Sequence, residues 1–180
     1  GLKNALTLES TLPADSFTRD LLDRMVLPGA LGFTRFGYEH RRKAWRPITE
    51  SLEGRTAVVT GATSGLGRVV AEQLSNLGAR VVLVGRSLEK LERVAREIAE
   101  ATGNRDLALE KADLGLMSEV RSLAQRLLRN ENAIHILVNN AAVLPVEKSQ
   151  TAEGLETAFA TDLISPYLQT RLLIPRLRES

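Results

Sequence analysis

Short apolar runs alternate with longer amphipathic segments through most of the chain, from residue 52 onward. The short runs are rich in Val, Leu and Ile and predict buried strands at residues 56–60, 80–85, 107–112 and 134–138. The intervening segments carry apolar residues at helical spacing and predict helices at residues 66–77, 87–100, 118–129 and 152–178. Strands that alternate with helices in this way predict an α/β fold with a parallel sheet and right-handed crossovers.

The ends of these predicted helices carry local signals. Ser87 and Ser118 are predicted to cap the second and third helices, because a serine hydroxyl accepts from the free N–H groups of a first turn. Gly78 and Gly103 are predicted to end the first and second helices. Pro166 is predicted to kink the last helix near residue 165, since proline has no N–H to donate.

The first 50 residues differ in pattern and predict a separate helical extension. One helix is predicted to follow a cap at Asp15 or Ser16 and to end at Pro28-Gly29. Its apolar positions at helical spacing are Leu21, Leu22, Met25 and Val26. The chain begins with glycine, so we expect a processed or partial product.

Aromatic and basic residues are interleaved in residues 33–46. The aromatic residues are Phe33, Phe36, Tyr38 and Trp45, and the basic run contains Arg41, Arg42, Lys43 and Arg46. This pattern is typical of contact with a membrane surface or nucleic acid, but it also fits a solvated helix whose aromatic residues anchor it to a neighbouring domain. We favour the anchor and expect no nucleic-acid partner, because the formal net charge is only +2. A membrane-surface or protein contact through residues 33–46 stays open.

Composition narrows the class of protein. A chain of 180 residues is long enough for one domain with a real core. It has no cysteine, which excludes a disulfide framework and a thiolate metal site, and we expect no metal. No apolar run approaches the length of a membrane span, and residues 1–12 lack the pattern of a secretory signal. We therefore expect a cytoplasmic protein, with peripheral membrane association as an open alternative.

A glycine-rich turn between the first strand and the first helix is the most informative motif. It reads Thr60-Gly61-Ala62-Thr63-Ser64-Gly65-Leu66-Gly67. Gly61 permits a tight turn, while Gly65 and Gly67 have no Cβ, so a pyrophosphate can approach the backbone and the helix can pack close to the strand. The helix N-terminus offers free N–H groups to the anion. By itself, the turn fits a phosphate site and a ligand-free turn equally well.

Polar residues at the ends of the other three strands indicate which ligand this is. The second strand ends at Arg86-Ser87 without an acidic residue, which favours the 2′-phosphate of NADP over the free ribose of NAD. Asp113-Leu114 ends the third strand, where a carboxylate can accept from the adenine amino group while leucine packs on the ring. Asn139-Asn140 ends the fourth strand, where buried asparagines can tie strands together and face the cofactor. A surface arginine, a helix cap and an asparagine turn are the alternatives.

In order and spacing, these motifs resemble the short-chain dehydrogenase/reductase family, from about residue 52 to residue 180. They are the glycine turn, Asp113-Leu114 and Asn139-Asn140-Ala141. Thr151-Ala152-Glu153-Gly154-Leu155-Glu156 and Leu172-Leu173-Ile174-Pro175-Arg176-Leu177 are similar to the retinol-dehydrogenase-like branch. The resemblance implies a Rossmann-type, doubly wound parallel sheet with strand order 3-2-1-4. Residues 51–180 would be the dinucleotide-binding domain and residues 1–50 the helical extension.

The resemblance also implies roles for individual residues. The backbone around Gly61, Ser64 and Leu66 would hold the pyrophosphate, and Arg86 would meet the 2′-phosphate. The implied cofactor contacts are Gly61, Thr63, Ser64, Gly65, Leu66, Gly67, Arg86, Asp113, Leu114, Asn140 and Ala141. The implied activity is the NADP-dependent interconversion of a carbonyl and an alcohol on a small apolar substrate.

Two positions depart from the family pattern. Ala142 stands where the family has glycine, and Asp162 stands where it has an asparagine that helps a proton relay. The family's catalytic Ser, followed by a Tyr with Lys four residues later, does not occur, since Tyr38 and Tyr167 are each followed by arginine at that distance. We therefore assign no catalytic residue beyond the candidate Asp162, and expect the N-terminal, inactive part of a longer enzyme.

Residues 134–138 would form an apolar edge strand, so we expect that the rest of a longer parent chain, a second copy in a homo-oligomer or another partner covers it. A second function stays open, namely a non-catalytic nucleotide-binding or structural subunit of the same family, which fits Ala142 and Asp162. A Ser-bearing strand followed by Tyr-x-x-x-Lys after residue 180 would favour the enzyme. The glycine spacing argues against a third function, a sugar epimerase.

Overall fold

The computed structural model of the protein describes residues 34–43, 45, 48 and 50–180. The chain divides into two units, Gly1–Ile48 and Thr49–Ser180. The helix predicted around Leu21 to Val26, its end at Pro28-Gly29 and the aromatic Phe33 lie outside the described residues.

In the first unit, helix α1 spans Arg35–Arg42. Thr34 precedes it and accepts from Tyr38 N at 3.0 Å through its carbonyl oxygen. The rings of Tyr38 and Trp45 meet edge to face, with their centroids 5.5 Å apart, while both side chains stay about half exposed. Tyr38 and Trp45 thus contact each other, and the role of the segment as an anchor remains a prediction.

The second unit is built on a parallel sheet with the order β3-β2-β1-β4 in the described part of the chain. Its strands are β1 (Thr56–Thr60), β2 (Arg80–Gly85), β3 (Leu107–Lys111) and β4 (Ile136–Val138). β1 is buried throughout because β2 and β4 pair with its two edges and helices cover both faces. The order that the resemblance implied is confirmed, and the predicted bounds of β1 and β2 are matched.

Helices cover both faces of the sheet. They are α2 (Gly65–Asn76), α3 (Leu88–Thr102), α4 (Met117–Asn130) and α5 (Ser165–Glu179). Successive strand residues point to opposite faces, so Val58 and Val59 join different cores. Val58 packs with buried residues of α4 and α5, and Val59 packs with those of α2 and α3. This layered packing is the doubly wound arrangement that the alternating pattern predicted.

Most of the predicted helix ends are confirmed. Ser87 Oγ accepts from Lys90 N at 3.3 Å and caps α3. Gly103 follows α3 with φ 75°, and its N–H donates to Ala99 O at 2.9 Å. Gly78, just beyond α2, has φ 90°. Both glycines adopt the left-handed conformation that ends a helix at low cost.

The cap predicted at Ser118 is wrong. Helix α4 begins at Met117, so Ser118 lies inside its first turn. Glu153 caps this helix instead, and its carboxylate accepts from Met117 N at 2.7 Å, from Ser118 N at 3.0 Å and from Ser118 Oγ at 2.6 Å. A carboxylate from a distant loop outcompetes the local hydroxyl because it is charged and faces the positive end of the helix.

The predicted strand at residues 134–138 is shorter in the structure. Ile134 N donates to Ser180 Oγ at 3.0 Å, so this residue does not pair with β1. His135 N donates to Thr56 O at 2.9 Å, while its ring Nδ1 accepts from Thr56 N at 3.0 Å. A side chain thus replaces the backbone acceptor next to Thr56, and the regular ladder begins only at Ile136.

The long helix predicted at residues 152–178 is wrong in its first part. Residues 152–156 form turns, with Gly154 at φ 78° and an antiparallel bridge between Gln150 and Glu156. A π-helical segment, Phe159–Ile164, follows and leads into α5. Ser165 N donates five residues back to Ala160 O. Pro166 lacks an N–H and crowds the carbonyl four residues earlier, so the predicted kink appears as this widened turn.

Among the described residues, no helix has the length and apolar composition needed to cross a membrane.

The Glu153 cap yields a pH-dependent prediction. The Ser118 hydroxyl, followed by the Ser118 and Met117 N–H groups, holds the pKa of the Glu153 carboxyl below its usual value. A depressed folded pKa stabilises the fold above the unfolded pKa, and this contribution is lost as the pH falls through the folded pKa. Glu153→Gln is therefore expected to lower the Tm at neutral pH, with a difference that shrinks as the pH falls below the usual pKa of a glutamate and through the lowered folded pKa.

Thermal unfolding of both proteins across this pH range measures the effect. Glu147→Gln is the matched control, because Glu147 is exposed and makes no hydrogen bond to any residue that the structure describes. A Tm difference for Glu153→Gln that is the same at acid and neutral pH would contradict the charged cap.

Candidate functional site

A cleft of about 490 Å³ lies at the carboxyl ends of the four strands. The predicted site residues that line it are Gly61, Thr63, Ser64, Arg86, Asp113, Leu114, Asn140 and Ala141. Gly65, Leu66, Gly67 and Asp162 do not line it. The fold thus brings together residues from four separate strand ends at the edge where open α/β sheets bind ligands.

Gly61 and Gly67 of the glycine turn have no room for a side chain, because the turn packs against the residues that follow β4. Gly61 has φ 65°, and a Cβ there would lie 2.9 Å from Ala141 Cα. A Cβ at Gly67 would lie 2.4 Å from both Asn140 Nδ2 and Gly61 O. Gly61 is therefore required for backbone conformation and contact, and Gly67 for the close approach of α2 to the turn.

The start of α2 faces outward beside this turn. Ser64 precedes the helix, but its side chain makes no capping hydrogen bond. Gly65 has φ 54° and no atom within 4 Å of its Cβ position, and Leu66 is 78 % exposed. The first N–H groups of a helix lack intrahelical acceptors, so this open glycine cradle fits an anionic group such as a pyrophosphate.

Thr60 and Asn140 connect the ends of β1 and β4. Thr60 Oγ1 accepts from Asn140 N at 3.0 Å and from Ala141 N at 3.1 Å, and donates to Val138 O at 3.2 Å. Asn140 Nδ2 donates to Thr60 O at 3.0 Å. Asn140 thus ties the strands together as predicted, but its neighbour Asn139 is exposed rather than buried and donates to Thr170 Oγ1 at 3.0 Å.

Arg86 stands at the end of β2 with an exposed side chain on the cleft. It makes no ion pair or hydrogen bond to any other residue in the described part of the chain. Gly85 beside it lies under Thr63, whose Cγ2 would be 3.1 Å from a Cβ at that position. The guanidinium is therefore a free cation at one end of the cleft, next to the N-terminus of α3.

Asp113 and Leu114 form the wall of the cleft beyond β3. Asp113 Oδ1 accepts from Gly115 N at 2.9 Å, which fixes the turn, and Asp113 N donates to Glu119 Oε2 at 2.6 Å. Leu114 is only 7 % exposed and packs into the core on the α4 side as well as lining the cleft. One carboxylate oxygen of Asp113 thus holds the local turn.

The two departures from the family pattern have different surroundings. Ala142 is exposed and lines the cleft. Asp162, in the π-helical segment, accepts from Val143 N at 2.9 Å through Oδ1. Its carboxylate therefore holds the loop that follows β4.

Several cleft residues escaped the sequence analysis. They are Gly85, Ala112, Gly115, Leu116, Val143, Gln150, Thr151, Ala152, Thr157 and Thr161. Many of them belong to the segment between β4 and α5, which the pattern predicted as helix from residue 152. Glu156 accepts from Phe159 N at 2.6 Å and Ala158 N at 3.1 Å, and these N–H groups hold its pKa below the usual value. Gly154 inside the predicted helix was the available signal against a continuous helix here, because glycine is a poor helix former.

The fold and its cleft define a dinucleotide-binding type of α/β domain. The sequence model of the short chain dehydrogenase family matches residues 55–180. The chain belongs to this short-chain dehydrogenase family.

Curated relatives include retinol dehydrogenases. Retinol dehydrogenase 11 of Homo sapiens is 40% identical over 132 residues, which is 73% of this chain and 42% of the relative. Retinol dehydrogenase 13 of Mus musculus is 34% identical over 163 residues, which is 91% of this chain and 49% of the relative. The likeness to the retinol-dehydrogenase-like branch is confirmed, and the chain spans less than half the length of these relatives.

Solved structures share the fold. An active-site complex of Pseudomonas aeruginosa RhlG with NADP has a TM-score of 0.62 at 33% identity, over 75% of this chain and 52% of that one. A metagenomic short-chain oxidoreductase in complex with NADP has a TM-score of 0.61 at 38% identity, over 71% of this chain and 58% of that one.

The glycine turn yields a stability prediction. Gly67→Ala is expected to cost about 3 kcal/mol, because its Cβ would clash with Asn140 Nδ2 and with the Gly61 backbone. Gly65→Ala is the matched control, because it has open space and only a positive φ, and is expected to cost about 1 kcal/mol. Urea unfolding of both variants measures the difference in the free energy of unfolding. Equal losses for the two variants would show that the close contact at Gly67 does not destabilise Gly67→Ala.

Proposed function

We propose that this chain is the cofactor-binding part of an NADP-dependent oxidoreductase that interconverts a carbonyl and an alcohol. The observation that carries the proposal is the shared cleft. The glycine cradle, the free Arg86 cation, Asp113 and Asn140 meet at one sheet edge although they lie far apart in the sequence. Membership of the short-chain dehydrogenase family supports the reaction class.

The preference for NADP rests on the end of β2. Arg86 is exposed on the cleft and unpaired within the described residues, so its guanidinium is available to a 2′-phosphate. Ser87 caps α3 beside it, and this helix N-terminus adds a positive dipole end. Two similar solved structures are complexes with NADP.

When bound, a nicotinamide dinucleotide supplies the hydride-transfer chemistry of dehydrogenases. This chain's residues would bind and orient it. The N–H groups near Ser64, Gly65 and Leu66 would hold the pyrophosphate at the open start of α2. Thr63 would lie between the pyrophosphate and the Arg86 end. Asn140 and Ala141, held by Thr60, would border the nicotinamide side.

The substrate proposed here is a small apolar alcohol or carbonyl compound. The retinol dehydrogenase relatives support this proposal, because retinol is an apolar alcohol. We propose residues 51–180 as the dinucleotide-binding domain and residues 1–50 as a helical extension, with a protein or membrane-surface contact through residues 33–46. A cytoplasmic location, with peripheral membrane association, accompanies this proposal.

Strand β4 is proposed as a contact edge. Within the described residues it pairs with β1 on one side, and its three apolar residues are only half-buried. An apolar edge with unpaired backbone groups favours pairing with another strand. We propose that the rest of a longer chain, a second copy of the chain or another partner covers it.

A non-catalytic nucleotide-binding subunit is the second candidate function. Asp162 favours it, because its carboxylate is engaged with Val143 N and lacks the donor of an amide. This alternative assumes the same cofactor cleft as the first proposal. It differs because the longer protein would bind the cofactor without catalysing a reaction.

Replacing Arg86 tests the choice of cofactor. Arg86→Ala is expected to weaken NADPH binding roughly 10- to 100-fold, because one charged contact is lost, while NADH binding changes little. Titration of each dinucleotide by calorimetry measures this. Arg129→Ala is the matched control, because Arg129 is exposed at the far end of α4.

Equal losses for NADPH and NADH would reject the contact with the 2′-phosphate. A wild-type chain that binds neither dinucleotide would reject the proposed function itself. The same titration on a chain without residues 1–50 checks the domain assignment, and unchanged affinity is expected.

The chain by itself is expected to bind NADPH without consuming it when an apolar aldehyde is added. It contains no tyrosine with lysine four residues later, and Tyr167 is exposed on α5 away from the cleft. The absorbance of NADPH over time measures this. Steady oxidation of NADPH that depends on the aldehyde would show that other residues of this chain catalyse the reaction.

A further inference from the structure

Two polar side chains on α5 are buried without a hydrogen-bond partner. Gln169 is 0 % exposed, and neither its Nε2 nor its Oε1 bonds to any residue that the structure describes. Ser165 is 1 % exposed, and its Oγ is likewise buried and unbonded within the described part of the chain. Buried side-chain polar atoms nearly always have a partner, so three such atoms on one helix require an explanation.

The two side chains lie on one face of α5. Ser165, Gln169 and Leu173 follow each other at four-residue intervals, and these three residues are buried. Side chains at this spacing are neighbours on a helix, so they form a stripe that faces the protein interior. Leu173 packs with Val58 in the core on the α4 side of the sheet. The polar pair therefore lies one and two turns before this core contact, and neither residue lines the cleft.

Other helical hydroxyls in this chain are satisfied by their own helix. Thr102 and Ser122 each donate to the carbonyl four residues earlier, at 2.8 and 2.9 Å, as Ser and Thr in helices commonly do. The backbone at Ser165 is widened, because its N–H donates five residues back to Ala160 O, and its hydroxyl makes no bond to a carbonyl. The Ser165 hydroxyl therefore needs a partner other than a backbone carbonyl of its own helix.

The chemistry of the pair indicates what that partner is. Gln169 offers two N–H donors and one carbonyl acceptor, while the Ser165 hydroxyl can both donate and accept. Neither side chain carries a charge with which to hold an ion. A small neutral molecule that donates and accepts matches this set, and water does both. Buried waters in proteins typically make about three hydrogen bonds to polar groups that would otherwise be unsatisfied.

We propose that Ser165 and Gln169 form an internal hydration site, in which at least one ordered water bridges the serine hydroxyl and the glutamine amide. One water can reach both side chains because residues four apart are neighbours on a helix. The bridge offsets the cost of burying the amide and lets this polar stripe of α5 pack against an apolar core. The inference does not depend on the proposed cofactor function.

Counting long-lived waters by oxygen-17 magnetic relaxation dispersion tests the site. The wild-type chain is compared with Ser165→Ala/Gln169→Met, in which methionine keeps the length of glutamine without its polar atoms. This double variant is expected to lose at least one long-lived water. Gln169→Met alone is expected to show the same loss, because a buried water needs two or more polar partners. An equal count in the wild type and both variants overturns the inference.

Ser122→Ala is the control for this count. It removes a helical hydroxyl on α4 that is exposed and already bonded to its own helix, so the number of long-lived waters is expected to stay unchanged.

Thermal unfolding gives an independent readout. Ser165→Ala removes one partner of the water and leaves the Gln169 amide buried, so it is expected to lower the Tm by about 2 to 4 °C. The double variant removes both polar groups together with the water, and is expected to have a higher Tm than Ser165→Ala. If Ser165→Ala and Gln169→Met each raise the Tm and the two increments add, the polar atoms are dry and the inference is overturned.

Discussion

The contact between the glycine turn and the end of β4 is the constraint on which the site depends. Thr60 Oγ1 and the Asn140 amide join β1 to β4 through hydrogen bonds of 3.0 to 3.2 Å, each worth about 1 kcal/mol net. The approach is so close that a Cβ at Gly61 would meet the Ala141 backbone, and a Cβ at Gly67 would meet the Asn140 amide and the Gly61 backbone. Because this contact sets where α2 begins, it also sets where free N–H groups meet a ligand.

The remaining wall of the cleft is held by charges at helix ends. Glu153 accepts three hydrogen bonds from the first turn of α4, and Glu156 accepts two at the start of the next helical segment. Two carboxylates thus fasten one short loop to two helices, and the lowered pKa of each reflects these donors. The motif at residues 151–156 that carried part of the family resemblance includes both glutamates, but the resemblance did not imply that they cap helices.

The fold was predictable because each strand signals itself locally. β1 and β2 are short runs rich in β-branched residues, and a glycine-containing turn lies at the end of each. Their bounds match the prediction. The loop at residues 150–156 was not predictable in this way, because its apolar residues also fit a helix. Ser118 was misassigned for a similar reason, since the residue that caps α4 lies 36 positions from Met117 in the sequence.

By itself, the sequence determined the order of strands and helices and the family, because local periodicity and motif spacing encode these. It also identified Gly61, Gly67, Arg86, Asp113 and Asn140 as candidate site residues, because they lie at predicted strand ends and turns. Only the tertiary structure decided that Thr161 and Thr151 lie beside Gly115 and Asp113, and that Glu153 caps α4. The physical reason is that these contacts join segments distant in sequence. Their geometry depends on the packing of α4 and α5 against the sheet and on a π-helical turn beside Pro166.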